Sequence, residues 1–419
     1  MICRRLLLLS SVLLVGCRSG GESLNVPSSQ VEVGSSSPEV TEASAPPGGF
    51  VRLVVPPPDE STRPLELPST QPVPAILDDG RLLIGGEKPC SGEPFCAESS
   101  RPGAVACDGT EMLWSPSSGE ANAIATAVDA PPGICSYYGD SDTDWIVWWG
   151  DQSSTELYNV PWYLYVSRRD GSETREVAHY ASSKDGSPVP TPYLYPFIDH
   201  GWIVWAASDE TPQANAYAAP ADGSAPPTII EPDSGWVTIS YPFVYTMKRI
   251  ELSTDATSDP TGPMYKYFIR VHNLVDGKSF DLPNTSIMTF FSNADSLFVQ
   301  RDNFSLDVLA HDGTFKTNLN LDVGFIQAAN STTNGLAFST ESGSYLLQNE
   351  GGSWLLVELG GRPYANVVAA KRNWVYFLDA PDAEGRKGLT DKNHPDGPPA
   401  FPRWGTVETF VKLARDAAP

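Results

Sequence analysis

From residue 75 onward the chain alternates short apolar, aromatic-rich runs with polar turns, and the alternation recurs as a unit of two parts. The first part is an apolar strand, a short polar turn and a second, aromatic-rich strand. Its clearest copy is Tyr195-Pro-Phe-Ile-Asp-His-Gly-Trp-Ile-Val-Trp205, and others are Ala75–Ile84, Ile134–Trp149, Val237–Tyr245, Ile287–Val299, Phe325–Phe338 and Val367–Phe377. The second part is a strand, an Asp-Gly type of turn and a polar-alternating strand, best seen in Trp162-Tyr-Leu-Tyr-Val-Ser-Arg-Arg-Asp-Gly-Ser-Glu-Thr-Arg-Glu-Val177. Matching turns fall at Ser118-Gly119, Asp222-Gly223, Asp276-Gly277, Asp312-Gly313 and Gly351-Gly352. Each supplies the glycine that a tight hairpin needs where φ is positive, and the β-branched and aromatic runs between them read as strands. Helical periodicity is confined to a short stretch near Val407–Leu413.

The second strands of the first parts begin at Arg81, Trp145, Trp202, Pro242, Leu297, Leu336 and Trp374. Steps of about 40 to 64 residues, each holding four strands, are the period of a β-propeller blade with or without an inserted loop. The chain is therefore read as all-β, a propeller of seven blades, with six blades as the alternative if the Ala75 unit is displaced; a two-sheet sandwich fits a recurring unit less well. Seven first parts face only six second parts. Closing the ring calls for a borrowed strand in the seventh blade, and Phe50–Val55 and Val407–Leu413 are the candidates. The apolar–Trp–apolar strand preceding a Leu-Tyr-Val…Asp-Gly-Ser hairpin resembles the TolB-type propellers. That resemblance spans residues 75–378, rests on short motifs and implies the fold alone.

Ahead of the repeat lie two different segments. Met1-Ile-Cys-Arg-Arg, an apolar run from Leu6 to Val15 and then Gly16-Cys17 have the order of a secretory signal. The run is too short to span a bilayer as a helix, which takes about 20 residues. Leu14-Val15-Gly16-Cys17 resembles the lipobox of bacterial lipoproteins, which implies removal of residues 1–16, acylation of Cys17 (diacylglycerol and a fatty acid such as palmitate) and attachment to a membrane through several acyl chains. Arg18 stands where the resemblance places aspartate in inner-membrane proteins, so the outer membrane is favoured. Residues 17–74, with Ser35-Ser36-Ser37-Pro38 and Pro56-Pro57-Pro58, have the composition of a disordered, partly extended tether. The propeller is expected over residues 75–419.

Charge narrows the function. With 28 Lys+Arg against 51 Asp+Glu the net charge is −23, and a chain this acidic repels phosphate backbones, which excludes nucleic acid as a partner class. Of six cysteines, Cys90, Cys96, Cys107 and Cys135 remain beside Cys3 and Cys17. In an exported chain they imply two disulfides, with Cys90–Cys96 and Cys107–Cys135 the simplest of three pairings; no Cys-x-x-Cys spacing or adjacent histidine points to zinc.

Catalytic motifs are absent: no Gly-x-Ser-x-Gly, His-Glu-x-x-His, phosphate loop or dinucleotide fingerprint occurs. The histidines, at 179, 200, 272, 311 and 394, are scattered and read as turn or surface residues. The turns inside each two-strand part are short, whereas the long connections follow second strands or precede first strands. In a propeller those long connections share one face around the channel mouth, where binding residues concentrate on a rigid scaffold. A charged residue recurs just after the second strand, at Glu87, Asp151, Asp209, Arg249, Asp302, Glu341 and Asp379, and equivalence of the blades would set these as a mainly acidic ring. Asp140-Ser-Asp142-Thr-Asp144 resembles the opening of a calcium loop, but Trp145 stands where the turn glycine belongs and no glutamate follows; a solvated turn is the favoured reading. Thus no cofactor is assigned, with calcium the weak exception. Trp145, Trp148, Trp149, Trp202, Trp205 and Trp374 sit on repeated strands and are assigned to blade packing, leaving Trp162 and Trp236 as the aromatic residues nearest loops. The favoured function is a non-enzymatic envelope lipoprotein that binds a protein or glycan on its long-loop face. A hydrolase or lyase using the acidic ring, with or without a divalent ion, is the alternative.

Overall fold

The computed structural model describes residues 50–56, 65–68, 73–89, 105–124, 134–152, 161–180, 196–208, 214–252, 264–282, 287–302, 304–340, 343–360, 368–379 and 401–418. A short strand β1 (Phe50–Val54) comes first and the blades follow in chain order. Blade 1 is β2 (Ala75–Ile76), β3 (Leu82–Pro89), β4 (Val105–Trp114) and β5 (Ala121–Ala123); blade 2 is β6 (Ile134–Ser141), β7 (Trp145–Gln152), β8 (Trp162–Arg168) and β9 (Thr174–Tyr180). Blade 3 is β10 (Phe197–Asp199), β11 (Trp202–Ser208), β12 (Ala214–Pro220) and β13 (Thr228–Glu231). Blade 4 is β14 (Val237–Ser240), β15 (Phe243–Leu252), β16 (Met264–Asn273) and β17 (Ser279–Asp281). Blade 5 is β18 (Thr289–Ser292), β19 (Leu297–Gln300), β20 (Ser305–Leu309) and β21 (Phe315–Asn320). Blade 6 is β22 (Ile326–Thr332), β23 (Gly335–Thr340), β24 (Ser344–Glu350) and β25 (Ser353–Gly360), and blade 7 is β26 (Val368–Lys371), β27 (Trp374–Asp379) and β28 (Phe401–Thr406). Helix α1 (Val407–Asp416) ends the described chain.

Within each blade the strands pair antiparallel in sequence order. The first strand of every blade touches the first strand of the next, and β26 touches β2, so seven blades close into a ring. Alternate residues of a strand face opposite neighbours. In blade 2, for example, Trp145, Val147 and Trp149 pack with Ile198, Ile203 and Trp205 of blade 3, while Ile146 and Trp148 pack with Leu77, Leu83 and Leu113 of blade 1. The tryptophans of the repeat are inter-blade filling, as their strand positions predict.

Closure departs from the expected borrowed strand. Phe50–Val54 does form a strand, but it joins blade 6 as a fifth member, parallel to β25 from Phe50↔Trp354 to Val54↔Glu358. Val407–Leu413 is helical. Thr406 caps α1 by accepting from Thr409 N, Glu408 lies in the first turn and Arg415 in the last, matching the helix dipole. Phe410, Val411 and Ala414 are buried on Val55, Leu355, Val357 and Phe377, so the helix marked by its periodicity covers blades 6 and 7 and does not serve as the closing strand. Upstream of blade 1, Leu65 and Leu67 pack against the cluster of Trp374 and Trp404, and Leu65 N donates to Pro402 O at 2.8 Å.

The seam between blades 7 and 1 is aromatic and close. Trp374 and Trp404 stack with centroids 4.6 Å apart, and Trp404 Nε1 donates to Gly80 O at 2.8 Å. Gly80 has φ of +86°, and a Cβ there would lie 2.8 Å from the Trp374 ring. Only glycine meets both the turn conformation and the tryptophan.

Candidate functional site

The hairpin topology gives the disc two unlike faces. One carries the short turns joining first to second and third to fourth strands. The other carries the ends of the second and fourth strands and the starts of the first and third.

On the short-turn face, polar groups link each blade to the next. Asp140 Oδ2 accepts from Ile198 N at 3.0 Å and Asp142 Oδ2 from Gly201 N at 2.7 Å, joining blade 2 to blade 3. Asp199 Oδ2 accepts from Tyr241 N at 2.8 Å, joining blade 3 to blade 4. Thr238 and Ser292 share a 3.1 Å hydroxyl contact between blades 4 and 5, and Asn293 Nδ2 donates to Gly335 O between blades 5 and 6. Around the seam the links are ionic. Asp78 is held by Arg169 of blade 2 and Arg372 of blade 7, and Lys371 Nζ reaches past blade 1 to Asp140 Oδ1 at 2.9 Å. Burial pushes the Asp140 carboxyl above its ordinary range, opposed by Lys371 and the N–H of Ile198. At Asp79 burial acts the same way, but Arg169 and Arg81 outweigh it and hold the carboxyl low. The Asp140-x-Asp142 pair is thus an inter-blade latch rather than a solvated turn. Asp144, exposed, closes the same turn by donating its N–H to Asp142.

On the long-loop face, Glu87, Asp151, Arg249 and Asp302 stand at the ends of the second strands of blades 1, 2, 4 and 5. Asp379 ends the equivalent strand of blade 7; Asp209, Glu341 and the side chain of Asp379 lie outside the described residues. Two of the charged residues flank the same covalent bridge from opposite sides. Glu87 is the cross-strand partner of Cys107 and Asp151 that of Cys135, and Cys107–Cys135 is a disulfide with Cα atoms 5.1 Å apart. Cross-strand neighbours lie about 5 Å apart, so one covalent bridge sits between the two acidic positions and ties blade 1 to blade 2. Cys90, Cys96 and Cys17 lie outside the described residues. Asp151 is also opposite Trp162, which stacks on Tyr180 with centroids 6.5 Å apart. Asp302 is exposed and accepts from Phe304 N, Ser305 N and Ser305 Oγ at 2.7 to 2.9 Å; these bonds hold its carboxyl below the ordinary range.

Neither loop-adjacent tryptophan offers an open ring. Trp162 is buried, and Trp236 is half-buried with its Nε1 donating to Phe290 O at 2.9 Å. Exposed apolar groups on this face, among the described residues, include Tyr267, opposite Arg249 in blade 4, and Met288 and Phe304 in blade 5, at 37%, 38% and 57% exposure. Nothing in the hydropathy pattern distinguishes these three from core positions.

A second polar cluster lies between the outer strands of blades 3 and 4. Glu231, on β13, is 3.5 Å from both Arg270 Nη1 and His272 Nε2, and Arg270 is paired with Asp281 at 2.6 Å. His272 is buried, not a turn or surface residue, whereas His200 and His311 do lie in turns and His179 is exposed. Burial, then Arg270 and Lys248 against Asp281, push the His272 imidazole down to about 4; burial pushes the Glu231 carboxyl up against Arg270 and Lys248. The unfolded chain takes up the histidine proton near pH 6.5 and the folded chain near 4. Stability conferred by neutral His272 is therefore complete above about pH 7 and lost as pH falls toward 4, by about 2–3 kcal/mol at pH 4.5. His272→Gln, neutral throughout, is expected to lose that much less than the parent between pH 7 and 4.5 in urea denaturation, where equal losses would disprove the assignment.

No family model matches the chain, and no curated protein matches it either. Among solved structures, YCF48 bound to D1 peptide is similar at 10% identity over 77% of this chain and 95% of that one, with a TM-score of 0.43. BamB from Moraxella catarrhalis is similar at 10% identity over 63% and 78%, TM-score 0.30. An oligogalacturonate lyase in complex with manganese is similar at 12% identity over 60% and 72%, TM-score 0.37. At such identities and TM-scores these likenesses carry no argument about what the chain does. Among the described residues no group of three or more His, Cys, Asp or Glu side chains is arranged to hold a metal, and no helix is long and apolar enough to cross a membrane.

Proposed function

We propose that the chain is a lipid-anchored envelope protein whose propeller captures a protein partner on its long-loop face. The observation that carries this reading is the exposure of Tyr267, Met288 and Phe304 on the long-loop ends of two adjacent blades, beside Arg249. Aromatic, methionine and arginine side chains are the types enriched where proteins bind one another. Both Trp162 and Trp236 are packed into the blades, which favours a protein over a glycan needing an open aromatic platform.

Capture from a detergent extract of the envelope with the full chain tests the proposal. Phe304→Ser and Arg249→Glu are each expected to reduce recovery of the partner about tenfold, the effect of losing about 1.4 kcal/mol. Recovery unchanged in the double variant would reject this face. Anchoring is tested separately: Cys17→Ser is expected to leave an unprocessed, unlipidated chain, and normal processing of that variant would remove the lipoprotein reading.

A further inference from the structure

The cluster at the rim of blades 3 and 4 contains an arrangement that neither the packing nor the long-loop face requires. Register pairs His272 with Ser279 and Arg270 with Asp281, so all four lie on the side of blade 4 that faces Glu231. Nδ1 of His272 is 2.9 Å from Ser279 Oγ, and Nε2 is 3.0 Å from Thr246 Oγ1 and 3.5 Å from Glu231 Oε2.

The hydrogen-bond partners accommodate the tautomer with its proton on Nε2. Thr246 Oγ1 donates its proton to Arg270 O, so toward His272 it accepts. Glu231, when ionised, also only accepts. With the proton on Nε2, the Nδ1 lone pair accepts from the Ser279 hydroxyl. Accessibility runs in a matching order: Ser279 is exposed, His272 and Glu231 are buried behind it. The geometry points to Ser279, His272 and Glu231 as a hydroxyl–imidazole–carboxylate relay that cleaves small acyl esters at the propeller rim.

In the first step Ser279 Oγ bonds to the acyl carbon while its proton passes to His272 Nδ1. The C–O bond to the alcohol then breaks, and the alcohol leaves with that proton. Water repeats the sequence on the acyl-serine, releasing the carboxylic acid and restoring the hydroxyl. Glu231 is the positioning residue that holds the tautomer and faces the transient imidazolium. Arg270, held by Asp281 and Glu231, and Lys248, over the Phe268 ring, are the positive groups on the same side. Glu231, Lys248, Arg270 and Asp281 are the charged groups around the imidazole.

The test is covalent labelling of the full chain with a fluorophosphonate probe, followed by peptide mass analysis. The expected result is phosphonylation at Ser279, slowed about 100-fold or more in His272→Gln, as loss of a general base predicts. Because the base keeps its lone pair down to about pH 4, labelling is expected to hold its rate from pH 8 to pH 5, where an ordinary histidine would already have lost it. Glu231→Gln is expected to slow labelling and Glu231→Asp to restore part of it. A folded parent chain unlabelled at Ser279 overturns the inference, as does labelling equal in parent and His272→Gln. Should His272→Gln fail to fold, Glu231→Gln and the parent's pH profile decide, and a labelling rate that neither the substitution nor acidification to pH 3.5 lowers overturns it.

Discussion

Asp140→Ala is expected to cost about 3 kcal/mol of stability, the range for removing one partner of a largely buried ion pair. At about 1–2 °C per kcal/mol for a domain of this size, that lowers the melting temperature by about 3–6 °C. The carboxylate has no redundant function: one oxygen takes Lys371 Nζ at 2.9 Å and the other takes Ile198 N at 3.0 Å, so one change unlatches blade 2 from both blade 7 and blade 3. Much of the cost comes from Lys371, left with its charge in a site where its side chain is 13% exposed. The double variant Asp140→Ala/Lys371→Met, in which no charge is stranded, is accordingly expected to recover a third or more of the loss. Thermal scans of the parent, both single variants and the double variant complete the cycle. A single variant within about 0.5 kcal/mol of the parent would show that the latch is a surface contact.

The disulfide gives the second large effect. Cys107 and Cys135 are 28 residues apart in sequence, and a cross-link closing a loop of that length stabilises by about 3–4 kcal/mol on the chain-entropy account. The double variant Cys107→Ala/Cys135→Ala is expected to lose that amount without a stranded thiol. The loss should be local in its dynamics: amide exchange should quicken around Val105–Thr110 and Ile134–Ser136, with blade 5 unchanged. Uniform quickening through all blades would instead mean that the bridge limits global unfolding, and no change would mean that the packing of Leu113, Ile134 and Ile146 suffices without it.

The blade count was legible because a propeller writes its period into local chemistry. Asp170-Gly171, Asp222-Gly223 and Asp276-Gly277 are turns whatever surrounds them, and Trp202-Ile-Val-Trp205 is a strand buried on both sides by its pattern alone. Pairing between distant segments was not legible. Alternation marks Phe50–Val54 as a strand but carries no information about which edge it joins, and the free edge of β25 competes with blade 7 on equal terms. Asp140 and Asp142 mislead for a chemical reason. Carboxylate oxygens spaced two residues apart suit a cation and suit the backbone N–H groups of a neighbouring strand equally well, and only the neighbour's position distinguishes them. For His272 the turn was readable but the register was not: a two-residue turn at Asp276-Gly277 would set 272 opposite 281, whereas the four-residue loop Leu274–Gly277 sets 272 opposite 279 and 270 opposite 281. Glu231 comes from another blade, so the burial that alters the imidazole's chemistry has no trace in the local sequence.

The direction of β1 bears on how the disc is held. Since β1 runs parallel to β25, whose own start follows the short turn at Gly351-Gly352, the chain enters the propeller at Phe50 on the short-turn face. If the segment before it is a leash to a lipid surface, pulling on that leash loads β1 lengthwise against β25, in shear, where the five paired residues resist together and do not peel one by one. The load enters on the face opposite Tyr267, Met288 and Phe304. A partner seated there would share neither the mooring point nor the path of the force.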